Sequence, residues 1–172
     1  NFIPRPGTED GIRAARDFVA GTKPQNILTM IGGVGSGRTH LLEAIGRAYA
    51  NKPGVIVRFE LVSEMLDRMR ATHSSYSNEG LYELTAYYRT AHVLLLDDLG
   101  LERQTDFAVE RLTALVDDRY RNGGKLAVST NISTQDEMAE HMGDRLADRL
   151  WDRNSGISDV VYLTCGSYRT GK

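Results

Sequence analysis

Two groups of residues in this sequence have the types and the spacing to act on a polyphosphate. The first is Gly32-Gly33-Val34-Gly35-Ser36-Gly37-Arg38-Thr39, which meets the pattern G-x-x-x-x-G-K-[ST] at every fixed place except the lysine. Such a loop must curl until successive backbone N–H groups point at one anion, and glycines supply the backbone angles that other residues avoid. The helix behind it presents its positive end to the same anion. Thr39 would offer a hydroxyl to Mg2+. The second group is Val93-Leu94-Leu95-Leu96-Asp97-Asp98, an apolar run closed by two carboxylates. Alternation along a strand sends those carboxylates different ways. One can hold Mg2+ while the other orients or deprotonates an attacking water. Alone, the acidic pair reads as a turn with aspartate caps; combined with the glycine loop it becomes the second half of a nucleotide site.

Arg38 departs from the pattern. It keeps the positive charge of lysine but carries a wide planar fork that need not enter the same slot. Binding through the backbone survives that change, whereas turnover depends on fine placement of the terminal phosphate. Ser129-Thr130-Asn131 closes a further strand. In a parallel sheet ligands gather at the carboxyl ends of strands, so Asn131 would face the same crevice and bond the attacking water. Its plainer reading is an Asx-type turn cap.

The elements that position these residues alternate between short apolar runs and helical stretches, the pattern of a doubly wound parallel α/β sheet. Strands are expected at residues 27–31, 55–60, 93–96, 126–129 and 160–163. Helices are expected from Thr8, as cap, to residue 20, then over 38–50, 64–71 with Ser63 as cap, and 81–90. Further helices run from Thr105, as cap, to residue 121, and over 134–142 and 144–151. Asn122-Gly123-Gly124 ends the longest. Residues 73–80 read as a polar turn.

The 172 residues suit one domain, able to bury roughly 70% of its unfolded surface. Apolar residues at 41% and charged residues at 26% are ordinary for a globular protein. A formal charge of −2 argues against an obligate polyanion binder, although local basic patches fit within a neutral total. The single cysteine, Cys165, excludes an internal disulfide framework and a cysteine-rich metal site. No apolar stretch nears the roughly 18 residues that span a bilayer, and no signal peptide is present, so a cytoplasmic location is the default. The chain opens at Asn1 without methionine, as a fragment would.

Taken in order, several segments resemble the AAA+ ATPase domain of helicase loaders of the DnaC/DnaI type, with the IstB transposition ATPases as near relatives. They are Gly35-Ser36-Gly37-Arg38-Thr39-His40-Leu41, Leu95-Leu96-Asp97-Asp98-Leu99-Gly100, Leu115-Val116-Asp117-Asp118-Arg119-Tyr120, Ser129-Thr130-Asn131, Asp144-Arg145-Leu146-Ala147-Asp148-Arg149-Leu150 and Ser167-Tyr168-Arg169. The resemblance implies a P-loop AAA+ (ASCE) fold over residues 1–172, with a five-stranded parallel sheet flanked by helices and no full C-terminal lid. It implies ATP or ADP with Mg2+ as ligands. Gly33, Val34, Gly35, Ser36, Gly37, Arg38, Thr39, His40 and Arg169 would bind the nucleotide, and Thr39 with Asp97 the metal. Asp98 would be the catalytic acid and Asn131 the first sensor. Arg149 would be an arginine finger acting in trans on a neighbouring subunit, ahead of Arg145, so the active form would be a homo-oligomer.

The same resemblance implies single-stranded DNA in the centre of the assembly. Tyr76, Thr105 and Phe107 would contact it, with Arg68, Arg70 and Arg103 near its phosphates. The implied function is loading of a replicative helicase in DNA replication, the helicase being gripped by an amino-terminal module missing from this chain. The alternatives are an IstB-type transposition helper acting on duplex DNA, and a non-hydrolysing nucleotide-gated adaptor in which Arg38 has abolished turnover.

Overall fold

Residues 93–96 and 126–128 are unbroken apolar runs, and Thr29 alone interrupts residues 27–31, the composition of strands buried on both faces. In the computed structural model, which describes residues 3–74 and 79–168 (of 73, 74 and 79 the backbone only), these runs form the centre of one sheet. The elements in chain order are α1 (Glu9–Ala20), β1 (Ile27–Gly32), α2 (Arg38–Ala50), β2 (Val57–Leu61), α3 (Val62–Ser74), α4 (Glu79–Arg89), β3 (Val93–Leu99), α5 (Asp106–Asn122), β4 (Lys125–Thr130), α6 (Gln135–Met142), α7 (Asp144–Trp151) and β5 (Ser158–Leu163). The strand order is β2-β3-β4-β1-β5, and every pair is parallel. This is the five-stranded parallel sheet flanked by helices that the sequence implies.

Alternation splits the strand side chains between two cores. Leu94, Leu96, Leu126 and Val128 join one with α3, α5, α6 and α7; Val93, Leu95, Ala127 and Met30 join the other with α1 and α2. Parallel register brings the carboxyl ends of β1, β3 and β4 to one edge, with Ile31 beside Thr130 and Thr130 beside Leu99. That edge carries the glycine loop, the acidic pair and Asn131.

Several element boundaries differ from expectation, each for a local reason. Residues 55 and 56 lie outside β2, because the Ile56 carbonyl accepts the N–H groups of His92 and Val93 ahead of the ladder. β2 then passes directly into α3, so Ser63 is a first-turn residue and caps nothing. α3 runs on to Ser74, into the stretch read as a turn, and α4 starts at Glu79. Thr8 precedes α1, but its hydroxyl donates to the Arg5 carbonyl at 2.7 Å and does not cap the helix. Thr105 is a cap as expected, accepting from the Ala108 N–H, whereas Thr134, expected inside its helix, stands before it and caps it by accepting from the Glu137 N–H. Gly123 ends α5 at φ 71°. Among the described residues no helix is long and apolar enough to cross a membrane.

Candidate nucleotide-binding site

The glycine loop leaves the end of β1 and enters α2 in the curled form its composition demands. Gly35 has φ 77° and Gly37 φ 94°, angles that cost a side chain-bearing residue free energy. Gly37 stands at the N-cap of α2 with no side-chain cap, and no acidic residue occupies the first helical turn. The first N–H groups of α2 are therefore left to an outside acceptor, which a phosphate satisfies. The Ser36 hydroxyl is buried in the loop with no hydrogen-bond partner. These features suit a polyphosphate. Residues 33–40, with Asp98, Leu101, Asn131 and Tyr168, line one cleft of about 300 Å3. Thr39 and His40 are exposed along it.

The acidic pair sits inside β3, not after it, at an irregularity in the β3–β4 register between Leu96 and Leu99. Asp97 is 5% exposed and accepts the Ser129 hydroxyl at 2.5 Å. The same Ser129 oxygen accepts the Asp98 N–H at 2.9 Å. Asp98 takes φ 57°, the one positive value outside glycine among the described residues, and its half-buried side chain reaches the cleft. Asp98 thus faces the cleft directly while Asp97 lies behind it.

Arg38 leaves the start of α2 and turns toward the strand ends. Its guanidinium donates to the Thr130 carbonyl at 2.9 Å and to Asp98 Oδ1 at 3.2 Å. Only 8% of the side chain is exposed. Asn131 follows Thr130 and is exposed at the cleft. The carboxyl-terminal segment crosses the loop: the Tyr168 N–H donates to the Gly35 carbonyl at 2.9 Å, and the Cys165 thiol contacts the Ser36 carbonyl at 3.2 Å. Arg5 lies over the Tyr168 ring, 4.0 Å from its centre.

Arg149 lies on α7, within its own subunit's hub around Asp117. Asp117 meets Arg145 at 2.5 Å, Arg121 at 3.0 Å and Arg149 Nε at 3.1 Å. Arg149 also covers the Tyr120 ring at 4.3 Å. Burial pushes the Asp117 carboxyl up, but the hydrogen bonds from Arg145 and Arg149, with the charges of Arg121 and Arg145, outweigh it and hold the group below its ordinary range. The Asp117 hydrogen bond raises the Arg149 guanidinium in turn.

The expected DNA contacts are scattered in their present commitments. The Thr105 hydroxyl caps α5 and accepts from Arg70 at 3.3 Å. Phe107 packs half-buried against the larger core, with Arg70 and Arg111 near its ring. Arg68 pairs with Glu60, and Arg70 with Asp67. Arg103 is exposed. Tyr76 and Arg169 lie outside the described residues.

A family model described as IstB-like ATP-binding protein matches residues 13–172. The chain belongs to the IstB-like ATP-binding proteins. This IstB-like domain is similar to the chromosomal replication initiator DnaA of Aromatoleum aromaticum, 38% identical over 76 residues. That match covers 43% of this chain and 15% of the initiator, so the chain spans a small part of that relative. A crystal structure of the DnaC helicase loader superposes with TM-score 0.78 at 22% identity, covering 95% of this chain and 93% of that one. A DnaA bound to AMPPCP and single-stranded DNA superposes with TM-score 0.79 at 20% identity, covering 96% and 49%. At these identities the structures show a shared AAA+ fold.

Sequence reading missed four contributors to the cleft of the IstB-like domain. Ser129 joins the two aspartates, the Thr130 carbonyl holds Arg38, and Leu101 and Tyr168 form part of the wall. Their signals were present but indirect: Ser129 and Thr130 immediately precede Asn131, and Tyr168 precedes Arg169. Of the hub around Asp117 only Arg121, four residues on along α5, had a local signal; Arg145 and Arg149 reach it from α7.

Proposed function

We propose that this domain binds ATP in the cleft over the glycine loop and uses its turnover to act on single-stranded DNA as part of a replicative helicase loader. The observation that carries the reading is the convergence of residues 33–40, Asp98 and Asn131 on one cleft at the carboxyl edge of the sheet. Backbone N–H groups of the loop and of the α2 start would hold the phosphates. Thr39 and Asp97 would hold Mg2+, which when bound neutralises developing charge on the phosphates. Asp98 would take the proton of the attacking water, and Asn131 would orient that water. Arg149 from a neighbouring subunit would complete the site, and Arg169 would add charge from the terminal segment.

Support for a DNA substrate comes from likeness: DnaC is a helicase loader, and a DnaA of the same fold binds AMPPCP and single-stranded DNA. Tyr76, Thr105 and Phe107 are the proposed strand contacts, and the helicase would dock through chain outside these residues. A second reading, an IstB-type transposition helper on duplex DNA, is favoured by the family model itself. A third, a non-hydrolysing adaptor, is favoured by the place of Arg38. Fluorescence anisotropy with labelled single-stranded and duplex oligonucleotides, in Mg-ATP, separates the first two. The loader predicts preference for the single strand, and preference for duplex overturns it. Phosphate release from the native chain, absent even with DNA, would establish the adaptor.

A further inference from the structure

We propose that Arg38 is a positioning residue for the acidic wall of the cleft and not a ligand of the phosphates. This rests on the reading of the cleft as a nucleotide site, and it reassigns one residue within it. The guanidinium spans the ends of two adjacent strands. One Nη donates to the Thr130 carbonyl of β4 and the other to the Asp98 carboxylate of β3. That span lies where the β3–β4 register breaks and where Asp98 holds a left-handed backbone angle. A planar fork with donors on separate nitrogens suits two acceptors on different strands; an ammonium offers one compact charge.

Withdrawal of Arg38 toward a phosphate would carry a local cost. The buried Thr130 carbonyl would lose this donor, and Asp98 would lose the cation beside it. The phosphates have other partners: the curled loop and the uncapped N–H groups at the start of α2. The structure therefore divides the labour. Backbone holds the anion, while Arg38 fixes Asp98 and the strand end that carries Asn131. A lysine in this place would bring its donors on a single nitrogen, without the planar fork that spaces them between the two strands.

The test compares the native chain with Arg38→Met, Arg38→Lys, Asp98→Asn and the double variant Arg38→Met/Asp98→Asn. Isothermal titration with Mg-ATP and Mg-ADP reads binding; phosphate release reads turnover; thermal unfolding reads the contact. Arg38→Met is expected to bind ATP within about threefold of native while turnover falls about tenfold or more. In the Asp98→Asn background Arg38→Met is expected to cost less in melting temperature than alone, and to slow turnover no further. Arg38→Lys, which keeps the charge, is expected to bind as native and to remain slow. A loss of about tenfold in ATP affinity in folded Arg38→Met, with ADP spared, would make Arg38 a ligand of the terminal phosphate and overturn the proposal. Turnover by Arg38→Lys at or above the native rate would overturn it as well. If the native chain binds ATP without turnover, the hydrolytic reading fails and the binding comparison alone places Arg38. Absence of binding by the native chain overturns both.

Discussion

Two buried carboxyls of this domain are shifted in opposite directions, and the signs lead to opposite acid responses. Glu102 is 7% exposed; its Oε2 accepts the Gly100 N–H at 2.8 Å, while its Oε1 is buried without a partner. Burial raises this carboxyl above the ordinary range, against the backbone bonds of residues 100–102 and the influence of His141. The folded chain thus holds this proton more tightly than the unfolded chain. Stability falls as pH rises from the unfolded value of Glu102 through its raised folded value. Glu102→Gln keeps the acceptor for Gly100 and removes the charge. The variant is expected to melt higher than native at about pH 8, with the difference vanishing in acid; melting curves across pH check this, and parallel curves would refute it. Asp117 is the converse. Its lowered carboxyl stabilises the fold above its unfolded value, and that contribution is lost as pH falls through the folded one. Asp117→Asn is expected to melt below native at neutral pH and to converge with it in acid.

At the scale of elements, local chemistry decides what a sequence reveals. Thr105 and Thr134 are caps because a short hydroxyl meets an N–H three residues on, a contact contained within one turn. Thr105→Ala is expected to destabilise the domain by about 1 kcal/mol, read by denaturant unfolding. Thr8 fits the same pattern but turns back to Arg5, its hydroxyl accepting the Arg5 N–H at 3.1 Å and donating to the Arg5 carbonyl. The central strands were legible because burial on both faces favours nearly unbroken apolar runs. The end of β3 was not, because Asp97 and Asp98 break the run while Ser129 and Arg38 from elsewhere satisfy them. Positions 33–40, Asp98 and Asn131 could be placed at one edge because each stands at the carboxyl end of a strand in a parallel sheet. The destinations of Arg38, Arg149 and Ser167 could not, because their contacts join residues far apart in the chain. Gly35 marks such a crossing: a Cβ there would stand 2.2 Å from the Ser167 hydroxyl, on a backbone at φ 77°. Gly35→Ala is expected to displace the terminal segment and weaken ATP binding by about tenfold, measured by titration.

At the scale of the whole molecule, the hub around Asp117 bears on whether one subunit suffices. Arg149 meets Asp117 through Nε and holds its Cζ over the Tyr120 ring, while its Nη groups make no bond to that carboxylate. Those groups form the fork that pairs with phosphate oxygens. Asp117 retains Arg121 and Arg145 when Arg149 is removed, so Arg149→Ala should fold. On the proposal that Arg149 acts across a subunit boundary, Arg149→Ala is expected to keep ATP affinity and to lose about tenfold or more in turnover. Asp98→Asn would lose turnover for the other reason, having the arginine and lacking the acid. On that proposal neither variant alone would contain a complete site. Mixed, they can: an Arg149→Ala subunit supplies Asp98, and an Asp98→Asn neighbour supplies Arg149. Phosphate release should therefore recover on mixing, reach a maximum near equal proportions and vanish on dilution below the association range. A mixture no faster than the sum of its two components would place the function of Arg149 within its own subunit, in the hub where it already pairs with Asp117.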